Sequence, residues 1–309
     1  FDNEVAGAGG ACVVGESTCC SQSDVEDARQ VAFGLGLEHF TFNFTGTFGC
    51  EVIDRFCDAY LHGRTPNPCI DCNRYMKHEK LYHRAETLGC DVIVTGHYAR
   101  IEQDPATGRW LLKKAKNLAK DQSYVLYQLT QAQLSHLLLP VGSFEKPEIR
   151  ERAAEAGLAN AHQADSQDIC FIPDGDYVRF LREFGGAAPR PGDFVDGTGR
   201  VLGRHRGLVC YTAGQRKGLG VSADRPLYVI SKNAENNTVL LGDNEELFSP
   251  ALLASRVNWI AGETPAGAVR CTAKTRYSQK ECEAVVTPLE NGGAHVELLT
   301  PQRAVTAGQ

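Results

Sequence analysis

The periodicity of this chain changes character once. Up to about residue 158, apolar residues recur at helical spacing between short strand-like runs; beyond about residue 185 the helical spacing stops and short β runs take over. In the first stretch, Ser23-Asp24-Val25-Glu26 has the form of a capping box. Ala28, Val31, Ala32 and Leu35 follow at helical spacing, with Gly34 and Gly36 as stop signals. Residues 39–44 alternate as a strand, 52–61 and 75–88 read as helices, and 91–96 read as a short buried strand ending in a turn. Strands alternating with helices predict a parallel sheet with helical crossovers. Ligand sites in such sheets lie at the carboxyl ends of strands, where Gly96-His97 falls. Downstream, Gly, Pro and Asn punctuate runs at 201–203, 207–210, 227–230, 238–241, 268–271, 284–286 and 295–298. That spacing predicts small β domains built as barrels.

The chain has 12 cysteines, an even number, yet 309 residues with 42% hydrophobic content can build a core without disulfide staples. No signal-peptide pattern or long apolar run occurs, so the expectation is a soluble, cytoplasmic protein with no membrane partner. Cys90, Cys210, Cys271 and Cys282 sit in or beside apolar runs, where cysteine serves as a small hydrophobe; Cys12, Cys19 and Cys20 receive no role. Three cysteines stand apart. Cys69 and Cys72 form a Cys-x-x-Cys after Asn67-Pro68, a redox or metal signal. Cys170 lies far downstream, between Asp165 and Asp168 on one side and Phe171-Ile172-Pro173 on the other. Together they suggest sulfur chemistry. A zinc site would need further ligands, which His62, His78 and Cys170 could supply.

A net charge of −6 does not advertise a nucleic-acid binder, but its distribution is uneven. Between Tyr177 and Gly220 stand eight basic residues (Arg179, Arg182, Arg190, Arg200, Arg204, Arg206, Arg216, Lys217) against three acidic ones. Lys113, Lys114, Lys116 and Lys120 precede Asp121-Gln122. Such patches supply phosphate contacts to RNA, or else form a solvated basic face.

The segments NPCIDCNRYMK, VTGHYAR, KDQSYVLYQL, DSQDICFIPDGDY, YTAGQRKGLG, CTAKTRY and QRAVTAGQ occur in that order across nearly the whole chain. In these the chain resembles the bacterial and organellar tRNA-specific 2-thiouridylases, which convert the wobble uridine of certain tRNAs to 2-thiouridine. The resemblance implies an α/β nucleotide-binding domain of the pyrophosphatase-loop, Rossmann-like type over residues 1–176. A small central β-rich domain would follow over 177–247 and a C-terminal β-barrel over 248–309. It implies ATP with Mg2+, a tRNA anticodon stem-loop as substrate, and a sulfur-donor or persulfide relay protein. Cys170 then matches the persulfide carrier and Cys72 the nucleophile that forms a transient disulfide with it. Gly96 matches a glycine lying against ATP. Asn67, Pro68, Cys69, His97, Lys120, Asp121, Gln122, Arg276, Tyr277 and Gln309 match tRNA-contacting positions. The target base would be turned out of the anticodon stack to reach the cysteines.

Two departures from the family pattern stand out. The loop S-G-G-x-D-S that holds ATP phosphates in the family is missing, and relatives continue past Gln309. The expectation is a chain truncated at both ends, lacking the first strand, with apolar helix faces exposed. A catalytically inactive tRNA-binding fragment is thus the second reading. Cys69 stands where many relatives carry Asp. With Cys72 and Cys170 it makes a three-cysteine set that would leave one iron of a [4Fe–4S] cluster open, the alternative to the persulfide scheme.

Overall fold

A computed structural model describes residues 22–162, 169–185 and 189–308. Helix α1 (Gln22–Gly34) ends at the predicted glycines. The Leu37 N–H reaches the Ala32 carbonyl at 2.9 Å and the Gly36 N–H the Phe33 carbonyl at 3.0 Å. Gly36 takes φ +69°, the left-handed turn that closes a helix in this way and favours glycine. Ser23, the expected cap, lies one residue inside the helix, and the Glu26 carboxylate accepts from Arg29 and Gln30. Residues 37–44 join no sheet, contrary to the predicted strand. Their period of two survives as stacked rings, Phe40 on Phe42 at 6.4 Å and Phe42 on Phe44 at 6.0 Å. The alternation specifies a face; only a neighbouring strand supplies a ladder.

The chain divides into two units. The first comprises the residues up to Ile53 together with Pro68–Asp176. It contains α2 (Thr45–Phe48), α4 (Pro68–Asp71) and α5 (Leu81–Thr87), while α3 (Arg55–Leu61) belongs to the second. Its parallel sheet is a two-residue pair, β1 (Ile93–Val94) beside β4 (Leu137–Leu138). Ile93 and Leu137 are buried; Val94 and Leu138 on the opposite face are 59% and 52% exposed. Phe33, Leu35, Leu37 and Phe40 are exposed as well. Between the parallel strands, β2 (Ala99–Gln103) and β3 (Trp110–Lys114) form an antiparallel hairpin. A genuine capping box of Thr130 and Gln133 starts α6 (Gln131–Ser135), and α7 (Lys146–Glu155) follows.

The second unit comprises Asp54–Asn67 and the chain from Tyr177 onward. Helix α3 packs on α8 (Tyr177–Phe184) through Phe56, Tyr60, Tyr177 and Phe180, with ring centroids 6.2–6.4 Å apart across the pair. Beyond α8 the chain is β with short helical turns, as the loss of helical spacing predicts. Strands β5 (Gly192–Val195), β6 (Val201–His205), β7 (Tyr228–Asn233) and β8 (Thr238–Gly242) form a sheet of order β6-β5-β8-β7, with β5 and β8 parallel. Phe194, Leu208, Tyr211, Leu219, Val229, Val239 and Leu241 make its core. Strands β9 (Phe248–Ala254), β10 (Val269–Ala273), β11 (Cys282–Pro288) and β12 (Ala294–Arg303) form an antiparallel sheet of order β10-β11-β12-β9 around Ala284, Val296 and Leu298. Cys90 and Cys271 are exposed rather than packed as small hydrophobes. No helix among the described residues is long and apolar enough to cross a membrane.

Candidate active site

The Cys-x-x-Cys opens a continuous helical run over residues 68–87. Pro68 starts it, where a missing N–H costs nothing because the first helical amides have no partner in the helix. From Cys72 to Lys80 the helix is widened, with i→i+5 hydrogen bonding. Widening places residues five apart on one face, and Asn73 and His78 are both buried there, at 2% and 3% exposure. Asn73 Nδ2 donates to the Val125 carbonyl at 3.2 Å, Arg74 Nη1 to Gln128 Oε1 at 2.8 Å, and Gln133 Nε2 to the His78 carbonyl at 2.8 Å. These bonds seat the helix on the segment 125–133. Cys72 is half-buried and Cys69 exposed.

Gly96 and His97 follow directly on β1, at the carboxyl end where the parallel-sheet rule puts a ligand. A Cβ at Gly96 would meet no protein atom within 4 Å, and its φ is not left-handed. Nothing in the protein therefore demands glycine here, which fits a bound group lying against the backbone. His97 is buried, with Nδ1 2.8 Å from Thr95 Oγ1 and its ring 6.1 Å from that of His78. Burial, with Lys77 and His78 adding repulsion, pushes the His97 pKa down to about 3. Burial, with Lys77, pushes His78 down to about 4. Both imidazoles are thus neutral at physiological pH, and His78 Nε2 has no hydrogen-bond partner.

The 120–122 segment joins this cluster. The Gln122 N–H donates to the Tyr98 carbonyl at 2.8 Å, and Gln122 Oε1 accepts from the Tyr98 N–H at 2.9 Å. Asp121 accepts from the Ala115 N–H at 2.8 Å and from Ser123 Oγ at 2.7 Å. Asp121 and Gln122 are loop staples that hold exposed Lys120 beside the strand end. Cys170 sits in a turn closed by the Ile172 N–H on the Ile169 carbonyl at 2.9 Å. The next ring, Phe171, meets Phe48 edge-on at 5.8 Å. Helix α2, which carries Phe48, packs against the widened Cys72–Lys80 segment, so both cysteines are carried by elements that share α2 as a neighbour. Asp165 and Asp168 lie outside the described residues.

Among the described residues, no group of three or more His, Cys, Asp or Glu side chains gathers as a metal site. His62 is engaged by Asp58, Nδ1 to Oδ1 at 3.1 Å.

In the second unit, Asn67 is half-buried and the eight basic residues of 177–220 are all exposed. Arg204 is 3.5 Å from Asp193. Tyr277 is 41% exposed, with Lys274 Nζ 5.3 Å from its ring centre. Arg276, the expected phosphate contact beside it, is instead engaged internally. Its Nη2 donates to Thr306 Oγ1 and, at 3.4 Å, to the Ala213 carbonyl. Gln309 lies outside the described residues. Asn73, Arg74 and Thr95 were not singled out by sequence; a 3.6-residue period carries no signal for a widened turn.

Three family models match the chain in succession: a tRNA methyl transferase HUP domain over residues 9–174, a tRNA methyl transferase PRC-barrel domain over 179–243, and an aminomethyltransferase beta-barrel domain over 249–309. Among curated relatives, the tRNA-specific 2-thiouridylase MnmA of Acetivibrio thermocellus is 50% identical over 294 residues, 95% of this chain and 82% of the relative. The MnmA of Heliobacterium modesticaldum is 51% identical over 296 residues, 95% of this chain and 77% of its own. That of Clostridioides difficile is 47% identical over 294 residues, 95% and 81%. The family models are described by methyl transfer and the relatives by thiolation; half-identity along nearly the whole chain is the more specific of the two. The chain belongs to the family of tRNA-specific 2-thiouridylases.

Proposed function

We propose that the protein is an ATP-dependent tRNA sulfurtransferase that converts the wobble uridine to 2-thiouridine, with the anticodon stem-loop as its substrate. The observation that carries this is the 50% identity to a 2-thiouridylase over 95% of the chain. The site chemistry supports it: two partly accessible cysteines, Cys72 and Cys170, stand on elements around α2. ATP supplies the adenylyl group that makes the uridine C2 oxygen a leaving group, and Gly96, with open space where a side chain would be, would lie against it. Mg2+ would accompany the nucleotide, and no step is assigned to it or to an iron–sulfur cluster.

A relay protein delivers sulfur to Cys170 as a persulfide. The terminal persulfide sulfur attacks C2, and the activated oxygen departs with AMP. The Cys72 thiolate then attacks Cys170 Sγ. The S–S bond to the delivered sulfur breaks, a Cys72–Cys170 disulfide forms, and the sulfur stays on C2. Two electrons now reside on the product sulfur, so a cellular thiol must reduce the disulfide before the next cycle. Asn67, Pro68 and Cys69 would border the base, with His97, Lys120, Asp121, Gln122, Arg276, Tyr277 and Gln309 as further tRNA contacts. The domain limits 1–176, 177–247 and 248–309 and a cytoplasmic location belong to the same reading. The test is the 2-thiouridine content of tRNA from cells whose own enzyme is deleted and replaced by the full-length protein. Wild type should restore the nucleoside; Cys72→Ser and Cys170→Ser should not. Full restoration by Cys170→Ser would reject the scheme.

A further inference from the structure

Arg276 is basic and beside an exposed tyrosine, yet its guanidinium is turned inward, and what it holds leads away from the RNA face. Arg303, the last residue of β12, and residues 304–308 after it touch both sheets of the second unit. Arg303 Nε donates to Asn244 Oδ1 at 3.1 Å, its guanidinium lies 5.4 Å from the Tyr228 ring centre, and its carbonyl accepts from Gln279 Nε2 at 2.9 Å. Ala304 has φ 54°, a left-handed conformation unusual for alanine, and its N–H donates to the Leu247 carbonyl at 2.8 Å. Its methyl would be 3.1 Å from a Cβ at Gly214, so the central sheet's loop approaches it as closely as glycine permits. Thr306 Oγ1 accepts from Arg276 and donates to the Ala304 carbonyl at 2.9 Å.

The segment ends on the loop that leads to the cysteines. The Thr65 N–H donates to the Ala307 carbonyl at 2.9 Å. Gly308, at φ +102°, lies so close that a Cβ there would be 3.1 Å from Arg64 Cβ and from the Thr65 backbone. The loop's other side is fixed by the end of α3: the Gly63 N–H reaches the Tyr60 carbonyl at 3.0 Å and the Arg64 N–H the Ala59 carbonyl at 2.8 Å, with Gly63 at φ +72°. The chain then runs through Pro66 to Asn67-Pro68-Cys69. All these contacts lie within one unit.

We infer that residues 303–308 are a strap through which Arg276 sets the conformation of the 62–67 loop, making Thr306 a positioning residue for thiolation. This rests on the reading of the protein as a tRNA 2-thiouridylase. A phosphate that engages Arg276 competes for the guanidinium that Thr306 holds, so RNA arriving at the barrel changes the restraint on the loop ahead of the base-bordering residues. The chemistry is a charged donor shared between one hydroxyl and an incoming anion.

Thr306→Val keeps the side-chain shape and removes the hydroxyl; Thr306→Ser restores it. In the full-length protein, Thr306→Val should lower kcat for 2-thiouridine formation about 10-fold, the scale expected for a lost charge-assisted bond that positions a reacting group. The tRNA Kd should stay within about twofold, and amide exchange at Thr65 should accelerate, as expected where one local bond opens. Thr306→Ser should behave as wild type in all three. If Thr306→Val does not fold, Gly308→Ala, strained at its positive φ, takes its place with the same readouts. Faster exchange at Thr65 with unchanged kcat would overturn the positioning role. So would a loss confined to tRNA Kd, which would make Arg276 a plain RNA contact. A wild-type protein that thiolates no tRNA would fail at the earlier step, removing the functional reading and this inference with it.

Discussion

The two units place their polar groups differently. In the β unit the Lys232 ammonium, its Nζ buried 5.8 Å from the Tyr60 ring centre, has no hydrogen-bond partner among the described residues, whereas the His205 ring, 1% exposed, accepts from the Gly207 N–H at Nδ1 and meets the Asn237 carbonyl at Nε2, each at 3.0 Å. Its surroundings are an apolar core whose members alternate along strands, such as Val239 and Leu241 on β8. Among the described residues of the α/β unit the parallel pairing is two residues long, and the buried polarity at its end is incompletely paired, with His78 Nε2 and Asn73 Oδ1 lacking hydrogen-bond partners. Each unit therefore buries an unpartnered polar atom, and they differ in what lies beside it: an aromatic ring in the β unit, a second neutral imidazole at a strand end in the α/β unit. The comparison teaches that the α/β unit gathers titratable groups at the strand end where a ligand site is expected.

The strongest break of that comparison is at the cysteines. Cys72→Ser and Cys170→Ser should each reduce 2-thiouridine formation by about 10³-fold or more, as removal of a covalent catalyst does. Urea midpoints should hardly move, since neither thiol is buried in a core. Cys69→Asp sharpens the point: Cys69 is exposed and belongs to no metal-ligating group, so activity should persist, equally with and without added iron and sulfide. Loss of both activity and an iron-dependent absorption in Cys69→Asp would favour the cluster.

Next comes packing. Phe194 is 0% exposed, meeting Tyr211 edge-on at 5.1 Å and His205 at 5.6 Å. Phe194→Ala should cost about 3–5 kcal/mol by denaturant unfolding, from lost burial and the cavity left behind. Val94→Ala, on the exposed face of β1, should change stability by less than about 0.5 kcal/mol. Equal costs at the two positions would mean that the faces are not distinguished as described.

How much of this was legible beforehand follows the range of the forces involved. The α1 stop at Gly36 and the β run over 238–241 are local and readable. So is Gly96-His97 at a strand end. The 39–44 segment was misread because a strand exists only if another pairs with it, and pairing is not written in the strand itself. Pairing Asn73 with His78 needs a five-residue turn that no apolar period reveals. Cys271 lies in a strand as expected, but its face was not legible, and it is exposed. Arg276 reads as an RNA contact, and nothing local in the sequence shows its bond to Thr306, thirty positions away.

The neutral histidine pair predicts a pH effect of intermediate size. The pKa values of His78 and His97 in the fold, about 4 and about 3, lie below the ordinary value of 6.5. As pH falls below 6.5 the unfolded chain takes up protons that the folded chain refuses, so stability falls with pH over the range from 6.5 towards 3 and is fully present above it. At about 1.4 kcal/mol per pH unit, His78 alone accounts for roughly 3 kcal/mol between pH 6.5 and 4. His78→Phe, a non-titrating ring, should make the acid limb of a stability-versus-pH curve shallower, the remaining slope being carried by His97 and, in the other unit, His205. An unaltered acid limb in His78→Phe would show that the pair is protonated in the fold.

The smallest effect is expected where the β unit meets solvent. Arg204 and Arg206 are exposed, and Arg204 has only a loose pairing with Asp193 at 3.5 Å. Pairs of that kind contribute about 0–1 kcal/mol, so Arg204→Glu with Arg206→Glu should leave unfolding nearly unchanged. Its consequence belongs to RNA. Each lysine or arginine that neutralises a phosphate adds slightly less than one unit to the slope of log affinity against log salt, about 0.7–0.9 depending on strandedness. The double reversal should therefore weaken tRNA binding at low salt and reduce that slope by between one and two units, with the two affinity curves converging as salt rises. The measurement is a tRNA titration of the full-length protein at several salt concentrations. Parallel curves for wild type and variant would show that the residues touch no phosphate and that this basic stretch is a solvated face of the β unit.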